Sequence, residues 1–209
     1  MLFLMGESVR KKFDPLGERQ CVVCNREQSF VQVSEVNYFT LFAIPLFPIS
    51  TVADYCQCEV CQTAYPDEDQ PLPSHVEMVR IVATYILTGY GMANHVRIIQ
   101  EVGSKISGFD FPTAEIEAIS RRLETEDAMG LIGEASSSMN EPGKLKIMEA
   151  AFLSTHVCCE IQYEDRLRIN LIGNALGVSI QFVEYAIQEV RRKKYYGVHR
   201  LLPTQSTMD

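Results

Sequence analysis

The 209-residue sequence predicts a multi-domain chain, a small β domain stapled by four cysteines followed by an all-α helical bundle. Three observations predict this. Two Cys-x-x-Cys pairs share one spacing, and apolar residues alternate with a period of two in the segment between them. Beyond a proline-rich acidic stretch, apolar residues recur instead at intervals of three and four.

The chain begins MLFLMGESVRKKFDP, a short apolar run ahead of its charges. A secretory signal needs basic residues first and a longer apolar core after them, so no export signal is read and a cytoplasmic location is expected. With 46% hydrophobic and 22% charged residues the composition is that of a globular protein. A net charge of −8 and a pI near 5.1 argue against nucleic acid as a partner, because phosphate backbones are bound mainly through Lys and Arg.

The first cysteine pair is Cys21 and Cys24 in CVVCN; the second comes from CQCEVC, residues 56 to 61. Two residues between paired cysteines let a tight knuckle aim both sulfurs at one tetrahedral ion, which selects Cys58 and Cys61 and leaves Cys56 as the spare. Seven cysteines are an odd number for a disulfide framework, and thiolates on a metal in a reducing cell fit better. Between the knuckles, SFVQVSEV alternates as a strand does and YFTLFAIPLF is almost wholly apolar. This is the layout of a zinc ribbon. Four thiolates leave no open coordination position for water, so a single Zn²⁺ here is expected to be structural and to supply much of the folding energy. The metal site carries a formal charge of −2, and residues 1–75 hold five Lys or Arg against ten Asp or Glu, so this part of the chain is acidic.

Residues 1 to about 66 resemble a bacterial zinc-ribbon family whose members place FTLFxIPLFP between two CxxC knuckles. The residues that carry the resemblance are YFTLFAIPLFPIS and CEVCQTAY. Family members often have glycine after each knuckle, where φ is positive. Asn25 and Gln62 stand there in this chain, and Asn tolerates that conformation better than Gln. The apolar segment has two readings. It is a buried strand packed on the ribbon or on the second domain, or it is an exposed patch, with Phe39, Phe42 and Phe47 as anchors, that docks on a partner or a membrane surface. At 38–50 it is shorter than a spanning helix and broken by two prolines.

PDEDQPLPSH, residues 66–75, reads as an extended linker between a ribbon at 1–65 and a helical domain at 76–195, with a tail at 196–209. Val76, Val79, Ile81, Val82, Tyr85 and Ile86 open a series of six or seven helices. Thr113 is a candidate N-cap for AEIEAISRRLETEDAM, and Asn140 for the helix that starts EPGK. In LGVS, Gly177 ends one helix and Ser179 starts the next. The second half resembles the TerB-like domains of tellurite-resistance and related stress proteins, on the stretch from Lys146 to Ser179. That resemblance implies an all-α TerB-like bundle and, in the family, an acidic metal site. Here Cys158 and Cys159 replace the acidic Asp-Gly turn, which leaves Glu160, Glu164 and Asp165 as a thin oxygen supply for a second site.

The histidines are scattered, and no pattern of a Walker A loop, nucleophile elbow, dinucleotide turn or HExxH helix is present. The basic cluster Arg191 to Lys194 reads as a solvated helix end. The sequence therefore predicts a non-enzymatic zinc-binding scaffold or adaptor with an unknown protein partner in a stress-related or membrane-proximal assembly. The alternatives are peripheral membrane docking through residues 38–49, and metal or redox sensing through Cys56, Cys158 or Cys159. No oligomeric state is predicted.

Overall fold

A computed structural model of the chain describes residues 5–67, 71–91 and 95–193. The chain divides into two compact units, Met1–Ser74 with Ala135–Gly143, and His75–Glu134 with Lys144–Asp209.

The first unit is built on a curled antiparallel meander in the order β1 (Met5–Cys21), β2 (Arg26–Leu41), β3 (Ile44–Cys58) and β4 (Ala64–Tyr65). β1, β2 and β3 run for 17, 16 and 15 residues, two to three times the usual strand length. β1 is not foreshadowed by the sequence pattern. It is an edge strand on which Met5, Val9 and Phe13 face solvent and, ahead of Cys21, only Leu16 packs against the core, so no buried stripe marks it. β1 and β2 join through the first cysteine knuckle. β2 and β3 join through a two-residue turn, Phe42–Ala43, between the paired residues Leu41 and Ile44.

That turn corrects the reading of FTLFAIPLF as one buried strand. Phe42 (φ 51°) and Ala43 (φ 63°) both adopt left-handed backbone, as a two-residue hairpin turn requires. Such turns normally announce themselves with Asn or Gly, and here neither is present, so the reversal is invisible in the sequence. The segment becomes the end of a long hairpin rather than a core element. Phe42 is 57% exposed and Phe47 54%.

β3 pairs with β2 from Ile44 to Cys58 but with β4 only at Cys56 and Gln57. Among the described residues its outer edge over Ile44–Val52 thus has no neighbouring strand, which is where Pro45 and Pro48 are tolerated. Three register shifts interrupt its pairing with β2, and they leave Leu46, Ile49 and Val52 as extra residues. Near the metal end the sheet carries two small cores. One comprises Cys21, Phe30, Cys56, Cys58 and Tyr65, and the other Val33, Ala53, Tyr55 and Ala64.

Seven helices follow among the described residues: α1 (Ser74–Gly89), α2 (Val96–Ser107), α3 (Thr113–Leu123), α4 (Ala128–Ser136), α5 (Glu141–Cys158), α6 (Tyr163–Ala175) and α7 (Ile180–Lys193). Their buried stripes supply Val79, Val82, Ile86, Ile98, Val102, Ile106, Ile147, Ile169 and Ile172. None is long and apolar enough to cross a membrane. Two helix starts match their expected caps. Asn140 Oδ1 accepts the Gly143 N–H (3.1 Å) and Ser179 Oγ accepts the Phe182 N–H (3.3 Å). Gly177, at φ 66°, closes α6 as expected. Thr113 is not the N-cap of α3. Pro112 occupies that position, and the Thr113 hydroxyl instead accepts a bond from Gln100 Nε2 (3.2 Å).

Close approach explains two glycines in this unit. A Cβ on Gly103 would lie 2.4 Å from Phe111 Cδ1, and one on Gly173 2.8 Å from Val183 Cγ2.

Candidate metal centre

Both knuckles follow the same local plan. Cys21 ends β1, and the chain turns through Cys24 and Asn25 (φ 53°) into β2. Cys58 ends β3, and the chain turns through Cys61 and Gln62 (φ 57°) towards β4. The Cys24 N–H donates to Cys21 Sγ (3.4 Å), the Gln62 N–H to the Cys58 carbonyl (2.9 Å), and the Cys58 N–H to the Thr63 carbonyl (3.1 Å). The positions where glycine is common thus keep left-handed geometry with Asn and with Gln. For a residue carrying a Cβ this costs about 1 to 2 kcal/mol, which neighbouring bonds must offset. One of them comes from far along the chain, where Asn140 Nδ2 donates to the Gln62 carbonyl at 2.7 Å.

The sulfurs of Cys21, Cys24, Cys58 and Cys61 all lie within 4.8 Å of one another, and Cys21 and Cys61 are 3.6 Å apart. A tetrahedral Zn²⁺ with bonds of about 2.3 Å needs sulfurs about 3.8 Å apart, so this cage matches the ion in size and in ligand type. Cys21 and Cys58 are buried, while Cys24 and Cys61 are half-buried.

The electrostatics of the cage call for a cation. Burial pushes the Cys21 thiol up, but bonds from the Tyr65 hydroxyl (3.5 Å) and the Cys24 N–H outweigh it and bring it down to about 7. Cys24 is pushed up to about 12 by burial and then by its bonds with Cys61 and Cys21. Burial likewise raises Cys58. Four thiols crowded this closely cannot all ionise unaided, and a divalent ion at their centre removes that obstacle. Tyr65 also stacks at a tilt on Phe30, with ring centroids 5.5 Å apart. It lies within CEVCQTAY, yet nothing local marks it as a partner of Cys21, 44 positions away.

A zinc-ribbon family model matches residues 19–114. The match takes in both knuckles and runs on through α1 and α2 to the start of α3, covering slightly less than half of the chain. With the four-cysteine cluster, this similarity makes zinc the metal to which the cage corresponds. No curated protein and no solved structure matches the chain.

The other residues singled out in the sequence lie as follows. Cys56 is buried beside the cage, and its thiol donates to Gln32 Oε1 (3.2 Å). Among the described residues, only the four cysteines bring three or more ligand atoms together. Asp165 serves as a structural acceptor. Its Oδ2 takes the Gln162 N–H (2.8 Å) in the capping box of α6, and its Oδ1 takes the Tyr90 hydroxyl. Burial raises both Cys158, to about 11, and Cys159. His75 is buried against the Ser107 carbonyl (3.3 Å), and His156 stacks on Phe152. Within the basic cluster Arg192 pairs with Glu189 (2.7 Å) and Lys193 with Glu149, while Lys194 lies outside the described residues. Phe39 is half-buried and stacks on Phe47 at 5.1 Å, and Phe42 occupies the hairpin apex.

Proposed function

We propose that Cys21, Cys24, Cys58 and Cys61 hold one structural Zn²⁺, and that the chain is a non-enzymatic scaffold or adaptor. The observation that carries this reading is the closed cage. Four protein thiols within 4.8 Å of one another fill a tetrahedral ion and leave no position for a substrate or an activated water. The ion then clamps one end of the four-stranded sheet, the end at which β4 joins β3. The helical unit is the second module of the scaffold. Its sequence resemblance to TerB-like domains favours a stress-related setting.

Elemental analysis of the full chain and of the Cys58→Ser, Cys61→Ser double variant tests this. One zinc per chain in the parent and none in the variant is the expected result. A parent without zinc overturns the reading. Turnover in a broad hydrolase screen that depends on a single acidic residue would overturn its non-enzymatic part.

A further inference from the structure

The four sulfurs of the cage are not equally supported. In each knuckle the turn itself bonds the first cysteine. Cys21 Sγ accepts the Cys24 N–H (3.4 Å), and the backbone N–H groups of Val60 and Cys61 face Cys58 Sγ. Both of these sulfurs belong to buried residues. The second cysteine of each knuckle, Cys24 and Cys61, is half-buried, and among the described residues no backbone N–H bonds its sulfur.

Two hydroxyls complete the pattern, and both come from the four residues that follow the second knuckle, QTAY. Tyr65 Oη lies 3.5 Å from Cys21 Sγ, and Thr63 Oγ1 lies 3.3 Å from Cys61 Sγ. A thiolate on a metal has no proton to give. In the loaded cage each hydroxyl is therefore the donor and each sulfur the acceptor. Tyr65 is buried, stacked at a tilt on Phe30 and paired through its backbone with Cys56, so its hydroxyl is already in place.

The first knuckle has no counterpart to these groups. Two places after Cys24, where Thr63 follows Cys61, stands Arg26, and four places after it, where Tyr65 follows Cys61, stands Gln28. Among the described residues the Cys24 sulfur has hydrogen-bonding contact only with the thiols of Cys21 and Cys61. Four thiolates on one divalent ion share a formal charge of −2, and a donor draws part of that charge off the sulfur it bonds. Cys21, Cys58 and Cys61 are relieved in this way. Cys24 keeps the fullest lone pairs. Exposure alone does not single it out, because Cys61 is half-buried too; the Thr63 hydroxyl makes the difference.

We propose that Tyr65 and Thr63 are positioning residues of the metal centre, donating to Cys21 and Cys61, and that Cys24 is the sulfur at which the loaded cage reacts with electrophiles. This deepens the zinc reading, on which it rests. With an alkyl halide the step is a displacement. A Cys24 lone pair forms the S–C bond, the carbon–halogen bond breaks, halide leaves with its electron pair, and no proton moves. The thioether that results is neutral and a far weaker ligand than a thiolate, so modification of Cys24 loosens the ion at the first knuckle.

The test treats the zinc-loaded full chain with limiting iodoacetamide and maps the alkylated cage cysteines by mass spectrometry. Cys24 should be modified about tenfold faster than Cys61. In Thr63→Val, which keeps the branched shape and loses the hydroxyl, the preference should shrink to about twofold, and Thr63→Ser should restore it. Tyr65→Phe keeps the ring on Phe30 and removes only the hydroxyl. Its zinc affinity should fall about tenfold in competition with a chelator. In the cobalt-substituted protein its sulfur-to-metal charge-transfer band should move to lower energy, a shift that a packing role for Tyr65 would not produce. Far-UV circular dichroism confirms that each variant is folded. Alkylation of Cys61 ahead of Cys24, or of both at one rate, in the parent overturns the assignment of Cys24. A preference unchanged in Thr63→Val overturns the role of Thr63, and a charge-transfer band in Tyr65→Phe that coincides with the parent's overturns that of Tyr65. A parent that binds neither zinc nor cobalt strikes the metal centre itself instead, and elemental analysis of the same fractions reads that outcome separately.

Discussion

Asn140 is the residue whose replacement separates the helix from the metal site. Its side chain is used at both ends, Oδ1 accepting the Gly143 N–H as the cap of α5 and Nδ2 donating to the Gln62 carbonyl beside Cys61. Loss of an N-cap costs about 1 kcal/mol within a range of 0.5 to 2, and loss of a hydrogen bond costs a further 0.5 to 1.5 kcal/mol. Asn140→Ala should therefore destabilise the chain by about 1 to 3.5 kcal/mol. Asn140→Asp keeps the acceptor, which the N-terminal helix dipole favours, but replaces the donor with a carboxylate oxygen facing a carbonyl. Its fold should lose only about 1 kcal/mol, while its zinc affinity should fall as far as that of the alanine variant. At 1.4 kcal/mol per tenfold, a bond of 0.5 to 1.5 kcal/mol that braces the strained Gln62 turn is worth about two- to tenfold in affinity. Thermal denaturation measures the first quantity and competition with a chelator the second. If Asn140→Asp holds zinc as tightly as the parent, Asn140 is a helix cap alone and the proposed link to the knuckle is wrong.

Two further predictions concern the helical unit. Burial, reinforced by Lys146, lowers His75 to about 4 from its usual 6.5. The unfolded chain then binds more protons between those values, so stability should fall as the pH drops from about 6.5 towards 4, by up to about 3 kcal/mol. Denaturant midpoints between pH 6.5 and 5 should flatten in His75→Gln, and an unchanged slope would assign the acid sensitivity elsewhere. Gly103→Ala gains helix propensity of about 1 kcal/mol but drives a Cβ to 2.4 Å from the Phe111 ring, so a net loss of about 1 to 2 kcal/mol is expected. Combining it with Phe111→Leu should recover part of that loss in a double-mutant cycle. Strict additivity would count against the contact.

What was legible in the sequence is what local chemistry specifies. Knuckle spacing depends on four consecutive residues, so Cys21, Cys24, Cys58 and Cys61 could be read directly and Cys56 set aside. Asn140 and Ser179 were readable because a cap bonds backbone only three residues on. The reversal at Phe42–Ala43 was not readable, since the residues that normally mark it are absent and tertiary pairing alone imposes the backbone. Tyr65 and the Asn140 to Gln62 bond escaped for another reason. They join positions 44 and 78 apart, and no short window contains both partners. Pro112 displaced Thr113 because an extended residue without a side-chain cap can also begin a helix, with no signature to distinguish the two.

The three extra residues of β3 decide where the cysteines meet. At the apex Leu41 faces Ile44, and an unbroken ladder from there would set Phe30 opposite Tyr55. The observed partner of Phe30 is Cys58, three positions further on. A regular hairpin would thus leave the second knuckle overshooting the first by about 10 Å, at about 3.4 Å per residue. Because three is odd, the alternate set of β3 side chains would also turn towards the face that now carries the sulfurs. Leu46, Ile49 and Val52 act as counted spacers, and deleting any one of them forces a choice between rebuilding the turn and parting the ligands. The length of the chain between the two knuckles is in this sense part of the metal site, although none of the spacers lies near it.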